Sequence, residues 1–184
     1  MLWFLQHYMW SSPYTPSIDG AVHDAWQNGY LGVNQSFADA IVNEAFKRDQ
    51  PVCVMIHDYH LYLVAGQIRP LLPNAFIHHF IHIPWPSNRY WELLPAYMRT
   101  SICESLCNAD IIAFQTKNDG MNFLQSCDEF VPTSEVNYTE RSESIKGHTS
   151  NIYTSDAADE TTCVDLGGRR IIKKKKWGGG GGGG

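Results

Sequence analysis

Three short, dense apolar runs constrain this chain more than any other feature: "PVCVMI" (51–56), "FIHHFIHI" (76–83) and "IIAFQT" (111–116). Rich in β-branched residues, such runs have the pattern of strands buried on both faces. Each is followed by a stretch with helical spacing. "LYLVAGQIRPLL" repeats through Leu61, Val64, Ala65 and Ile68 until Pro70 stops it. "LLPAYMRTSICESLCNAD" and "KNDGMNFLQSCDEF" read as two further helices. Ahead of the first run, Val33, Phe37, Ala40, Ile41 and Ala45 recur at three- and four-residue steps and predict a helix in the second half of 24–47. Strand and helix thus alternate three times. That rhythm predicts right-handed βαβ crossovers and an α/β fold, a parallel, doubly wound, Rossmann-like sheet with helices on both faces.

With 184 residues and 43% hydrophobic content, the chain has room for one ordinary domain with a real core. Its formal net charge is -5, and the only basic run, Arg169 to Lys176, lies in the tail. Nucleic acid is therefore not an expected partner, whereas an anionic small molecule is compatible with the charge. Polar residues interrupt every apolar stretch well short of the roughly 20 residues that span a bilayer, so no membrane association is expected. The start, "MLWFLQHYMW", lacks the basic n-region and cleavage site of a signal peptide, and a cytoplasmic location is the default expectation. Five cysteines, Cys53, Cys103, Cys107, Cys127 and Cys163, include no C-x-x-C pair. They read as reduced, mostly buried thiols, with Cys103 and Cys107 sharing one helix face.

Residues 1–135 read as the folded Rossmann-like part. From about Val136 the chain turns to Ser, Thr, Glu and Asp, and 136–168 reads as an irregular end of the domain, compatible with a shifted reading frame. The last stretch, 169–184, is a low-complexity Lys/Gly tail. Translating a run of A followed by a run of G would give its lysines, tryptophan and glycines, so it is expected to be an artefact, with a flexible Gly-rich linker as the alternative.

In open parallel sheets, ligands bind outside the carboxyl ends of the strands. "HDYH" (57–60) follows the first predicted strand. On the second, His78, Phe80 and His82 alternate with His79, Ile81 and Ile83, and His82 falls at the edge because Pro84 ends the strand. The third delivers Gln115 and Thr116. Asp58, His82 and Gln115 are thus expected at one crevice. Three kinds of site compete for these residues. His57 and His60 in H-x-x-H, with His78, His79 and His82, suggest a metal, but ligands three apart across a strand-to-helix turn diverge and no further ligand set completes the coordination. Histidines satisfied by backbone are an alternative, most of all for His57 and His79. A sugar or nucleotide-sugar site fits better: carboxylates and imidazoles recognise hydroxyls, and Tyr59, Trp85, Tyr90 and Trp91 could cover sugar faces. G-x-G-x-x-G, a P-loop and G-x-S-x-G are all absent, which argues against nicotinamide, nucleoside-triphosphate and serine-hydrolase chemistry.

"LWFLQHY", "VNQSFADAI", "IHDYHLYLV", "HFIHIPWPS", "LLPAYMR" and "ADIIAFQTKNDGMNFL" follow one another in the order found in the trehalose-6-phosphate synthase family. The chain resembles the N-terminal part of these retaining glycosyltransferases from residue 1 to about 130. The resemblance implies most of one half of a two-domain GT-B fold. It also implies glucosyl transfer from a nucleotide-glucose to glucose 6-phosphate, giving trehalose 6-phosphate in the intact parent protein. By position, Asp58 resembles the carboxylate that binds sugar hydroxyls and His82 the histidine that holds the donor glucose, the two residues closest to the chemistry. Trp3 resembles the aromatic residue against the acceptor, and Gln115 joins the substrate-binding set. No metal or other cofactor is implied, only the nucleotide-glucose donor and a sugar phosphate; the intact protein could form a homo-oligomer.

The Gly-rich loop and basic residue that the family carries upstream of "LWF", and its diphosphate-gripping Arg/Lys pair and ribose-binding acid, find no match here. The chain by itself is therefore expected to be inactive as a transferase. Two alternatives stand beside the main reading: a related synthase with another acceptor, of glucosylglycerol-phosphate or pseudoglycoside type, and a non-catalytic sugar-phosphate-binding fragment. The aromatic-rich "PWPSNRYWELLP" keeps the acceptor open.

Overall fold

A computed structural model describes residues 1–10, 17–145 and 147–155. The Lys/Gly tail at 169–184, with Cys163, lies outside the described residues. The chain opens with α1 (Leu2–Gln6) and α2 (Gly20–Asp24), the latter capped by Asp19, whose carboxylate accepts from the amides of Ala21 and Val22. A π-helical turn, Ala25–Tyr30, leads into α3 (Leu31–Ala45). Then follow β1 (Cys53–His57), a 3-10 turn (Tyr59–Leu61), α4 (Val64–Ile68), β2 (Phe76–Ile81) and the short α5 (Asn88–Trp91). After α6 (Ala96–Leu106) come β3 (Ile111–Phe114), α7 (Lys117–Phe130), β4 (Ser134–Asn137), β5 (Ser142–Ile145) and β6 (His148–Thr154).

The six strands form one sheet in the order β1-β2-β3-β6-β5-β4. β1, β2, β3 and β6 are parallel neighbours, and β5 and β4 add antiparallel at one edge. The α/β class and the parallel Rossmann-like core are therefore as the alternating pattern predicts. The segment 136–154 differs from its expectation, because most of it is sheet rather than irregular. Its polar residues conceal strands of which β4 is a half-exposed edge strand, where a continuous apolar run has no reason to occur.

A second difference concerns the sheet faces. The order advances β1 to β2 to β3 to β6 in one direction, and right-handed crossovers repeated in one direction deposit their helices on one side. Val54, Ile56, Ile77, His79, Ile81, Ile112 and Phe114 are buried, and the apolar ones form one core cluster with residues of α4, α6 and α7. The opposite face leaves Cys53 and His57 exposed and Met55 62% exposed, so among the described residues the helices cover one face rather than two. α4 and α6 approach closely at Gly66, where an added Cβ would stand 2.8 Å from the Ser105 hydroxyl.

The helices also refine the pattern reading. Pro95 stands at the cap of α6, so the helix begins at Ala96 rather than at Leu93. On α3 Ala45 is buried as expected, but the other buried residues, Asn34, Ala38 and Val42, lie one position on from Val33, Phe37 and Ile41, and Val33 and Phe37 are half-exposed. Cys103, Cys107 and Cys127 are buried free thiols, with the Sγ atoms of Cys107 and Cys127 3.6 Å apart, whereas Cys53 is exposed on the open face. No helix of the described residues is long and apolar enough to cross a membrane.

Candidate functional site at the carboxyl edge of the sheet

The strand register aligns three chain segments at one edge. His57 pairs with Phe80, and Ile81 pairs with Phe114, so Asp58, His82 and Gln115 leave the sheet side by side. The structure thus brings the three residues to one edge, although no hydrogen bond joins them to one another among the described residues.

Asp58 is the most unusual residue of the edge. Its backbone has φ 66° and ψ 178°, a region that glycine visits freely and other residues occupy at a cost of about 1–3 kcal/mol. Its amide donates to the carbonyl of Phe80 at 2.8 Å, continuing the ladder one residue past β1. Its own carbonyl accepts the Nε2 hydrogen of His79 at 3.1 Å. His79 is fully buried, and burial pushes its pKa down to about 3, so the ring is neutral and serves as a fixed donor. The carboxylate Oδ1 of Asp58 is buried and finds no hydrogen-bond partner among the described residues. A strained backbone presenting an unsatisfied carboxylate oxygen is the arrangement expected of a ligand-binding acid.

His82 is exposed and pairs with His57, whose Nδ1 stands 3.0 Å from His82 Nε2 with the rings stacked at 20°. One imidazole must donate and the other accept, so the pair fixes the tautomers jointly. His57, expected to be structural, is therefore engaged with a candidate site residue in the open. His60 lies against the ring of Tyr59, with centroids 3.9 Å apart, so the H-x-x-H residues His57 and His60 turn to different partners. Among the described residues no group of three or more His, Cys, Asp and Glu could hold a metal ion.

Trp3 is 46% exposed, its ring tilted against that of His7 with centroids 3.7 Å apart and Tyr59 6.4 Å away, which places it beside the turn that carries Asp58. Trp3 and Tyr59 share an apolar cleft of about 720 Å³ with Trp26, Tyr30 and Val33. Gln115 is exposed, and its carbonyl and side-chain oxygen both accept from Ser155 beyond β6. Tyr90 is half-buried, its ring 5.2 Å from that of Tyr8.

Trp85 and Trp91 correct the sequence reading, because both are fully buried and stack on one another at 4.5 Å. They belong to the core, not to a sugar-facing surface. The Trp85 amide donates to Asp119 Oδ1 and its indole to Ser126. An aromatic residue beside prolines gives no sign of which way it turns, and here the loop folds inward against α7. Tyr30 and Asn34, neither of them singled out from the sequence as a site residue, reach the Asp58 turn from the helix before β1.

The model of glycosyltransferase family 20 matches residues 1–158. The chain is 30% identical over 154 residues to validamine 7-phosphate valienyltransferase of Streptomyces hygroscopicus subsp. jinggangensis, covering 84% of this chain and 31% of that protein. Its fold is similar to the N-terminal domain of Candida albicans trehalose-6-phosphate phosphatase, with a TM-score of 0.69 and 32% identity over 83% of this chain and 30% of that one. The Escherichia coli trehalose-6-phosphate protein solved with UDP-2-fluoro glucose gives a TM-score of 0.66 and 29% identity, over 83% of this chain and 31% of that one. The chain therefore spans about a third of the length of these relatives. With the family model over most of its length and a parallel sheet like those of GT-B glycosyltransferases, the chain belongs to glycosyltransferase family 20, the trehalose-6-phosphate synthase family.

Proposed function

We propose that this chain supplies the sugar-binding edge of a retaining glucosyltransferase of trehalose biosynthesis. In the intact protein the reaction is transfer of glucose from a nucleotide-glucose to glucose 6-phosphate, giving trehalose 6-phosphate. The observation that carries this reading is Asp58, with its glycine-like backbone and unpartnered buried carboxylate oxygen beside Trp3 and Tyr59. Asp58 accepts hydrogen bonds from sugar hydroxyls, and His82, oriented by His57, holds the donor glucose. Trp3 offers an exposed ring to the acceptor, and Gln115 lines the same edge.

Retention needs no protein nucleophile. The anomeric carbon–phosphate oxygen bond breaks as the acceptor hydroxyl attacks from the same face, and its proton passes to the departing phosphate oxygen. The protein contributes positioning and fixed polar groups, with no metal or other cofactor. The cations that grip the diphosphate have no match among the residues of this chain, so the chain alone binds sugar phosphate without turnover. Its working environment is the cytoplasm, and self-association belongs to the intact protein.

Isothermal titration of the 184-residue chain with glucose 6-phosphate tests the reading. Binding is expected and should weaken at least tenfold in Asp58→Asn; equal affinity of the two proteins would remove Asp58 from the site. The valienyltransferase relative favours a second reading, a synthase with another acceptor. Tighter binding of glycerol 3-phosphate or a carbocyclic sugar phosphate than of glucose 6-phosphate would select it. Measurable transfer from UDP-glucose or GDP-glucose by the chain alone would refute the expected inactivity. Binding without transfer also fits a sugar-phosphate-binding fragment.

A further inference from the structure

Asp58 needs more support than its own backbone provides. Its amide is tied to Phe80, and its carbonyl accepts from His79 and, at 3.4 Å, from the amide of Leu61. These bonds fix the end of β1 but leave the following turn free to relax and release the left-handed residue. The missing restraint comes from the helix before the strand. The Tyr30 hydroxyl donates to the carbonyl of Tyr59 at 2.5 Å. The Asn34 Nδ2 donates to the carbonyl of His60 at 3.0 Å, and its Oδ1 accepts the amide of Leu63 at 3.0 Å. Three backbone groups of the turn are thus held by two side chains one helical turn apart.

Asn34 has the marks of a residue kept for this purpose. It is fully buried on α3 among Ala38, Val42 and Ala45, where an apolar side chain would pack at no polar cost. Its second amide hydrogen goes to the Tyr30 carbonyl at 2.9 Å, so both its donors and its acceptor are used. Tyr30 ends the π-helical turn Ala25–Tyr30, a departure from α geometry of the kind that often accompanies a functional position. We propose that Asn34, assisted by Tyr30, is a positioning residue that clamps the 59–63 turn and so holds the Asp58 carboxylate toward its ligand. The inference rests on the reading of Asp58 as a sugar-binding carboxylate, and adds that its geometry is imposed from α3.

The test uses the full chain and four variants: Asn34→Ala, Asn34→Asp, Tyr30→Phe and, as a control on the same helix, Val42→Ala. Val42 is buried but makes no bond to the turn. The three-bond HN–Hα coupling and carbon chemical shifts of Asp58 report its φ, and titration with glucose 6-phosphate reports binding. N34A is expected to lose the positive-φ signature and at least tenfold in affinity. N34D keeps the acceptor for Leu63 but lacks the donors, and should give an intermediate result, as should Y30F. Val42→Ala should lower the melting temperature while keeping both signatures. A positive φ retained in N34A, or lost equally in Val42→Ala, would overturn the clamp. If N34A does not fold, N34D and Y30F decide on the same criterion. Failure of the wild-type chain to bind glucose 6-phosphate would overturn the sugar-phosphate reading, and the Asp58 signature would then judge the clamp alone.

Discussion

The two ends of the parallel sheet differ in how far their polar groups are paired. At the amino end, Asp110 Oδ2 accepts from Arg69 Nη2 at 2.8 Å and from the amide of Ile77 at 2.7 Å. The same guanidinium donates to the carbonyls of Asn108, Pro73 and Ala75, and His148 donates to that of Ala109. At the carboxyl end, Asp58 Oδ1, His79 Nδ1 and Thr154 Oγ1 are buried without partners among the described residues, and Asp58 carries backbone strain. Paired groups stabilise, whereas unpaired and strained ones cost stability. One end fastens the sheet, and the other carries strain and unpaired groups.

Breaking the amino-end network should have the largest effect. Asp110→Ala leaves the Arg69 guanidinium, only 12% exposed, without its carboxylate, and orphans the Ile77 amide. A loss of about 3 kcal/mol is expected in urea unfolding; a change below about 1 kcal/mol would mean the network contributes little.

Glu143 departs from the paired pattern of its surroundings and sharpens the comparison. Its carboxyl is buried on β5 without a partner at either oxygen, and burial pushes its pKa up from 4.5 to about 7. Because the folded value lies above the unfolded one, its contribution is fully present below pH 4.5 and lost as pH rises through about 7. Stability should fall by roughly 3 kcal/mol across that window. Glu143→Gln should flatten the dependence, measured by thermal unfolding at stepped pH; an unchanged slope would assign it elsewhere.

A smaller effect of opposite sign is expected at the carboxyl end. Asp58→Gly relieves the backbone strain and should stabilise the fold by about 1 kcal/mol after the entropy cost of glycine, while sugar-phosphate binding is lost. Asp58→Ala should lose binding without the gain. Equal stability of the two variants would show that no strain is stored there. The smallest effect belongs to the open face: Met55→Ser in this chain should change stability by less than about 0.5 kcal/mol, and a larger loss in urea unfolding would mean that face is packed.

How far the sequence was legible follows from the same physics. β1, β2, β3 and α7 were visible because dense apolar runs and helical periods report burial directly, and the edge holding Asp58, His82 and Gln115 followed from where those strands end. β5 and β6 were not, because Ser142, Glu143 and Ser150 are polar yet buried. Nor was Asn34 visible, since a polar residue inside an apolar stripe looks like an interruption until its partners, 26 and 29 positions away, are seen. The burial of Trp85 and Trp91 is hidden for a related reason: composition does not say whether an aromatic ring faces a ligand or the core.

By itself the sequence determined the parallel α/β core, the family and the edge at which Asp58, His82 and Gln115 leave their strands, since local periodicity and short motifs are set by neighbours along the chain. Only the tertiary structure decided which face of the sheet is covered, that Asp58 adopts a left-handed backbone, and that His57 meets His82. Those depend on register and on contacts between residues far apart in sequence, which no local pattern encodes.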